Sequence, residues 1–161
     1  LILNGWHQLL DQKEPKNKRV FILDQGPIYM LMILTLFGSE RIKQNHMKKW
    51  WDYAYYQWAK TLDLVIWVDT ALPVLVDRIR GREIWHSVKE RGDYDAYQYL
   101  ETYRLAYESV LTKLLTCSNG LKVVRLDTSK NTLEETIDIV IHALNLENGR
   151  INTSNLIYPD Q

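Results

Sequence analysis

Cysteine is nearly missing from this chain: Cys117 stands alone among 161 residues. No internal disulfide can form and no paired-cysteine metal spacing exists, so a reducing, cytoplasmic setting is the expectation. Net charge is missing too. Twenty Lys and Arg balance twenty Asp and Glu, which gives no global attraction to a nucleic acid polymer or an anionic membrane. The longest apolar run, residues 28–37, is broken only by Thr35 and falls short of the roughly 20 residues a membrane span needs. It reads as a buried helix, and no membrane partner is expected. The sequence has no G-x-x-x-x-G-K-[ST], no G-x-S-x-G and no H-E-x-x-H, so it lacks a phosphate loop, a nucleophile elbow and a zincin helix. His7, His46 and His142 lie on separate segments without metal-ligand spacing.

What is present is a hydrophobic content of 46%, enough for one domain with a real core. Three short apolar runs end in an aspartate: Val20-Phe21-Ile22-Leu23-Asp24, Leu64-Val65-Ile66-Trp67-Val68-Asp69 and Lys122-Val123-Val124-Arg125-Leu126-Asp127. Runs apolar on both faces suit strands inside a parallel sheet. The carboxyl edge of such a sheet is where α/β proteins bind ligands, and acidic residues there point to Mg²⁺ and phosphate chemistry.

Residues 1–10 carry a weak helical pattern and 11–19 a charged loop. A strand is expected over 19–23. Gly26-Pro27 then opens a helix that runs to about Phe37 and stops near Gly38. A second helix, 45–62, puts Met47, Trp51, Ala54, Trp58 and Leu62 on one stripe. A strand at 64–68 leads to a short helix from Pro73 to about Gly81, and 81–92 is charged and irregular. Asp95-Ala96-Tyr97-Gln98 resembles a capping box for a helix with Leu100, Tyr103, Tyr107, Val110 and Leu114 in its core stripe. Ser118-Asn119-Gly120 turns the chain into the third strand. Thr132-Leu133-Glu134-Glu135 is a second capping box, starting a helix with Leu133, Ile137, Val140, Ile141 and Leu144 inward. A polar tail occupies 148–161. The order predicts a three-layer α/β domain.

Asp24 can hold Mg²⁺ at the end of its strand, or simply satisfy the turn that follows. Arg78 and Arg82, four residues apart around Arg80, would share a helix face. Their planar donor forks match phosphate oxygens, though a solvated basic helix end reads the same way. Trp50, Trp51, Tyr53, Tyr55, Tyr56 and Trp58 crowd one helix. Trp51 and Trp58 are assigned to the core, while Trp50, Tyr53 and Tyr56 form either a stacking wall for a small-molecule acceptor or an interface, such as that of a homodimer. His86, Lys89 and Arg91 populate the loop before the next helix.

The stretch 62–69 followed by Pro73-Val74-Leu75-Val76-Asp77-Arg78-Ile79-Arg80-Gly81-Arg82 resembles the fourth strand and lid of P-loop NTPases of the thymidylate kinase-like and deoxynucleoside kinase-like type. Tyr103-Arg104-x-x-Tyr107 and Leu126-Asp127-Thr128-Ser129 resemble the helix after that lid and the segment bordering adenine. The similarity extends from about 19 to 144. It implies a P-loop kinase-like domain over 1–147, with a parallel sheet covered by helices on both faces and a lid at about 78–93. It also implies ATP and Mg²⁺ as cofactors and an ATP-dependent transfer of phosphate to a small molecule, a nucleoside or nucleotide among the candidates. Arg78, Arg82 and Arg91 would meet the moving phosphoryl group, Asp24 the metal, and Asp127, Thr128, Ser129 and Lys130 the base of ATP. Gln25 stands in the substrate position where these kinases often carry arginine. The missing phosphate loop implies that the first βα unit is absent and that the chain is an N-terminally incomplete piece, inactive by itself. The alternative is a non-catalytic scaffold of the same type that binds a partner through its aromatic helix.

Overall fold

In the computed structural model we describe residues 21–118 and 120–147. The protein is mixed α/β. The first helix, α1 (Pro27–Phe37), starts on a proline, which loses nothing at a position whose N–H has no intrahelical acceptor. It stops at Gly38, whose N–H donates to the Leu34 carbonyl at 3.0 Å. A Cβ at Gly38 would collide with that same carbonyl oxygen and lie 2.6 Å from Ile42 Cγ2. The chain can therefore fold back into the short α2 (Glu40–Lys43) only on glycine. A 3₁₀ turn (Asn45–Met47) leads into α3 (Lys48–Thr61). Then come β1 (Leu64–Asp69), α4 (Leu72–Gly81), the long α5 (Asp93–Cys117), β2 (Lys122–Asp127) and α6 (Leu133–Glu147).

These elements belong to two compact units. Among the described residues, one takes in those up to Leu62 together with those of Tyr103–Leu121; the other takes in Asp63–Thr102 and those from Lys122 onward. In the first, Leu31, Met32, Trp58, Val110 and Leu114 are buried almost completely. The Phe37 and Tyr103 rings lie 5.7 Å apart, and Lys113 Nζ sits 5.3 Å from the Tyr55 ring centre. Trp51 is only half-buried, not a full core residue as expected. Its indole N–H reaches out to the Ile42 carbonyl at 2.7 Å, which a fully enclosed ring could not do without bringing a polar partner inside.

In the second unit β1 and β2 pair in parallel, in a register that sets Leu64 beside Lys122 and Asp69 beside Asp127. Alternation puts Leu64 and Ile66 on the same face as Val124 and Leu126, and Ile139, Val140 and Ala143 of α6 cover that face. A second cluster joins Val76 and Ile79 of α4 to Val88 and to Ala96 of α5.

Several expectations are corrected. Among the described residues the sheet has two strands, not three. Of the strand expected at 19–23, residues 19 and 20 lie outside the described residues. Phe21, Ile22 and Leu23 form no strand and are exposed. The chain instead turns at Asp24-Gln25, with Gln25 at φ 46°, so tightly that a Cβ on Gly26 would be 2.8 Å from Leu23 Cβ. Helix α5 begins at Asp93, two residues before the expected cap. The Gly92 carbonyl already accepts the Ala96 N–H at 2.9 Å, so Asp95 lies inside the first turn. On α6, Leu133, Ile137 and Ile141 face solvent rather than the core. Val140, expected inward, does pack on the sheet, together with Ile139 and Ala143. Among the described residues no helix is long and apolar enough to cross a membrane. The expectations for 1–18 and for the tail lie outside the described residues.

Candidate functional site

The register of the two strands creates an electrostatic problem at their carboxyl ends, where Asp69 and Asp127 are neighbours and like charges repel. Each carboxylate is neutralised within its own surroundings. Asp69 Oδ2 accepts from Arg125 Nε at 3.0 Å and Nη2 at 2.5 Å, and its Oδ1 accepts the Thr70 N–H at 2.8 Å. The Arg125 guanidinium lies 4.2 Å from the ring centre of Trp67, its register partner, a cation–π contact that keeps the fork in place. Asp127 Oδ1 accepts from the Ser129 hydroxyl at 2.5 Å and the Ser129 N–H at 3.0 Å, and Lys130 Nζ approaches Oδ2 at 3.1 Å. The Ser129 hydroxyl and N–H, then Lys130, hold the Asp127 carboxyl down to about 2.

Past the strand ends the pairing continues through Thr128. Its N–H and its hydroxyl both donate to the Asp69 carbonyl, at 2.9 and 3.1 Å. The hydroxyl oxygen accepts from Arg78 Nη1 at 2.8 Å, and the Thr128 carbonyl accepts from Nη2 at 2.9 Å. The last turn of α4 thus delivers Arg78 to the loop after β2, across fifty positions of sequence. Two of the five N–H donors of the guanidinium are taken by Thr128.

Arg82 does not share a helical face with Arg78. Helix α4 ends at Gly81, and Arg82 adopts extended backbone with ψ 148°, so the four-residue spacing no longer fixes its direction. The loop 82–92 that follows is anchored at several points. Val88 is completely buried against α4 and α5, and its N–H donates to His86 Nδ1 at 3.1 Å. Arg80 donates to Asp93 Oδ1 at 2.7 Å and to the Arg91 carbonyl at 2.8 Å. Lys89 Nζ donates to the Arg82 carbonyl, and the Arg91 guanidinium lies 4.5 Å from the Tyr99 ring centre.

The remaining candidates belong to the other unit. Asp24 and Gln25 form the exposed turn before α1. Trp50 is half-buried and meets Trp51 edge-on at 5.1 Å. Tyr53 and Tyr56 point to solvent, with Lys60 Nζ 4.3 Å from the Tyr56 ring centre.

The donor chemistry does not fit a Mg²⁺ ion caged by protein. Asp69 and Asp127 both spend their oxygens on nearby donors, and Asp24 is a single acid in a turn. Among the described residues no group of three or more His, Cys, Asp or Glu could hold a metal ion. A cation carried by nucleotide phosphates and touching one carboxylate needs less.

Sequence reasoning assigned no role to Arg125 and none to Val88, which fell in the charged, irregular stretch 81–92. The first left a signal: an arginine inside an otherwise apolar strand must find an anion or a ring when its neighbours are buried. Val88 left none, since one valine among charged residues has no periodicity. No family model matches the chain, and neither a curated protein nor a solved structure matches it.

Proposed function

We propose that the unit built on β1 and β2 binds the phosphates of ATP at its carboxyl edge. It would serve an ATP-dependent phosphotransferase of the P-loop kinase type, with a three-layer parallel sheet and a small-molecule acceptor. The carrying observation is the direct pairing of Arg78 with Thr128. It supports this reading because an arginine from the helix after one strand and the loop after the other meet where α/β sheets take ligands. In this reading Arg78, with N–H donors beyond those given to Thr128, and Arg82 and Arg91 neutralise phosphate oxygens. The turn 127–130 lies against the nucleotide. Mg²⁺ enters with the phosphates. Catalysis of this class is mostly positioning and charge stabilisation.

The test is calorimetric titration of the 161-residue chain with Mg·ATP and with tripolyphosphate. Saturable binding of both is expected, weakened about tenfold or more in R78A, since hydrogen bonds from a charged donor contribute about 1.5–3 kcal/mol. Absence of binding at millimolar ligand, or binding indifferent to R78A, refutes it. Phosphotransfer by these residues alone at the about 1–100 s⁻¹ typical of kinases would instead overturn the expectation that a chain without a phosphate loop is inactive by itself.

One observation favours a second reading, a scaffold that binds a partner through α3. Tyr53 and Tyr56 are 57% and 44% exposed and three residues apart, hence on one face. Self-association abolished by the Y53A/Y56A double variant, without any ATP binding by the parent, would select it.

A further inference from the structure

The loop after α4 and the first turn of α5 hold three large apolar side chains in solvent: Ile84 at 78%, Trp85 at 70% and Tyr94 at 71% exposure. The two aromatic rings are ordered nonetheless. Trp85 Nε1 donates to Glu90 Oε1 at 3.2 Å, and the Tyr94 hydroxyl accepts from Gln98 Nε2 at 2.7 Å. Each ring is tied at its polar atom and open on its faces. The loop beneath Trp85 is fixed as well, by buried Val88 and by Arg80 gripping both Asp93 and the Arg91 carbonyl. A ligand landing on the indole would therefore meet a ring whose ordering cost has already been met by folding. Residues 80–93 carry Arg80, Arg82, Lys89 and Arg91 against Glu83, Glu90 and Asp93, one positive charge in excess. Arg80 pairs with Asp93 and Glu90 holds the indole N–H, while Lys89 rests on a carbonyl, Arg91 on a ring, and Arg82 is exposed. A flat π face beside such cations matches a planar base joined to phosphates, because stacking is indifferent to base identity and the cations take the anion.

We infer that Trp85 is the stacking face for the base of the nucleotide, with Arg82 and Arg91 on its phosphates and the turn 127–130 left to the rest of the molecule. This rests on the reading that the unit binds ATP, and goes beyond it by assigning the base.

The experiment titrates wild type, W85A, W85F and R78A with ATP, adenosine and tripolyphosphate. W85A should weaken ATP about tenfold and leave tripolyphosphate unchanged. W85F should restore most of the loss, and the circular dichroism and melting temperature of W85A should match wild type because the ring is exposed. Unchanged ATP affinity in W85A overturns the inference. Equal loss for ATP and tripolyphosphate also overturns it. If R78A weakens ATP and W85A does not, the phosphate site stands and the base platform falls. If adenosine binding depends on Trp85 while R78A changes nothing, the platform stands and the phosphate reading falls. No binding of any of the three ligands sinks both. Self-association of wild type that disappears in W85A, without nucleotide binding, would make the ring a contact between copies and would likewise overturn the inference.

Discussion

Replacing Val88 with alanine tests whether the charged segment between α4 and α5 is a surface loop or part of the core. The Val88 side chain is 0% exposed and packs with Val76, Ile79 and Ala96, flanked by Leu75, Tyr97, Tyr99 and Leu100. The substitution removes two methyl-sized groups, at about 0.8 kcal/mol each for lost burial. A remaining cavity on the order of 40 Å³ would add about 1 kcal/mol at about 24 cal/mol per Å³. The expected loss is about 2.5 kcal/mol. With a urea dependence of about 2 kcal/mol per molar, the midpoint should fall by about 1.2 M at unchanged slope, read by far-ultraviolet circular dichroism. Ile84→Ala is the internal control. It deletes more apolar volume four residues away, but its side chain is 78% exposed, so its effect should stay within about 0.5 kcal/mol. Equal effects from the two substitutions, or a V88A variant indistinguishable from wild type, would refute the reasoning.

Further outcomes follow from local geometry. T132A should destabilise α6 by about 1 kcal/mol, because Thr132 Oγ1 accepts the Glu135 N–H at 3.2 Å while Glu135 Oε2 accepts the Thr132 N–H at 2.7 Å; T132S should behave as wild type in the same chemical melt. The Asp127 carboxyl, held at about 2 against an ordinary 3.8, contributes stability that is complete above its unfolded value and is lost as pH falls through the folded one. Acid titration of wild type should therefore show extra destabilisation between about pH 4 and pH 2 that D127N lacks. G38A should cost roughly 1–3 kcal/mol from overpacking against Leu34 and Ile42. G81A, whose Cβ meets nothing within 4 Å, should be neutral or gain up to about 1 kcal/mol. Thermal melts of the glycine pair decide both.

Features governed by a few adjacent residues are legible in the amino-acid order. Pro27 opens α1, Thr132 and Glu135 cap α6 reciprocally, and the apolar runs ending in Asp69 and Asp127 are strands. The same logic fails wherever the deciding partner is distant. The run ending in Leu23 has the composition of a strand, but a strand exists only through a ladder partner, and composition does not supply one. On α6 the inward face is rotated from the expected stripe: Val140 packs on the sheet with Ile139 and Ala143, while Leu133, Ile137 and Ile141 are exposed. Arg82 loses its helical phase at Gly81.

Local chemistry accounts for the longer helices, both strands, the acid at the end of each strand and a cluster of arginines after β1, because caps, prolines and apolar periodicity act within a few residues; it does not foresee the short α2 or the 3₁₀ turn after it. Which of these meet is settled by packing. Parallel register sets Asp69 beside Asp127, and Arg125 and Lys130 answer the two charges. The ladder's continuation through Thr128 gives Arg78 its place. Burial of Val88 fixes a loop that charge alone would have left in water, and hydrogen bonds to Glu90 and Gln98 keep two aromatic rings ordered on the surface. Contacts across tens of residues depend on volume and pairing over the whole unit, which no local pattern encodes.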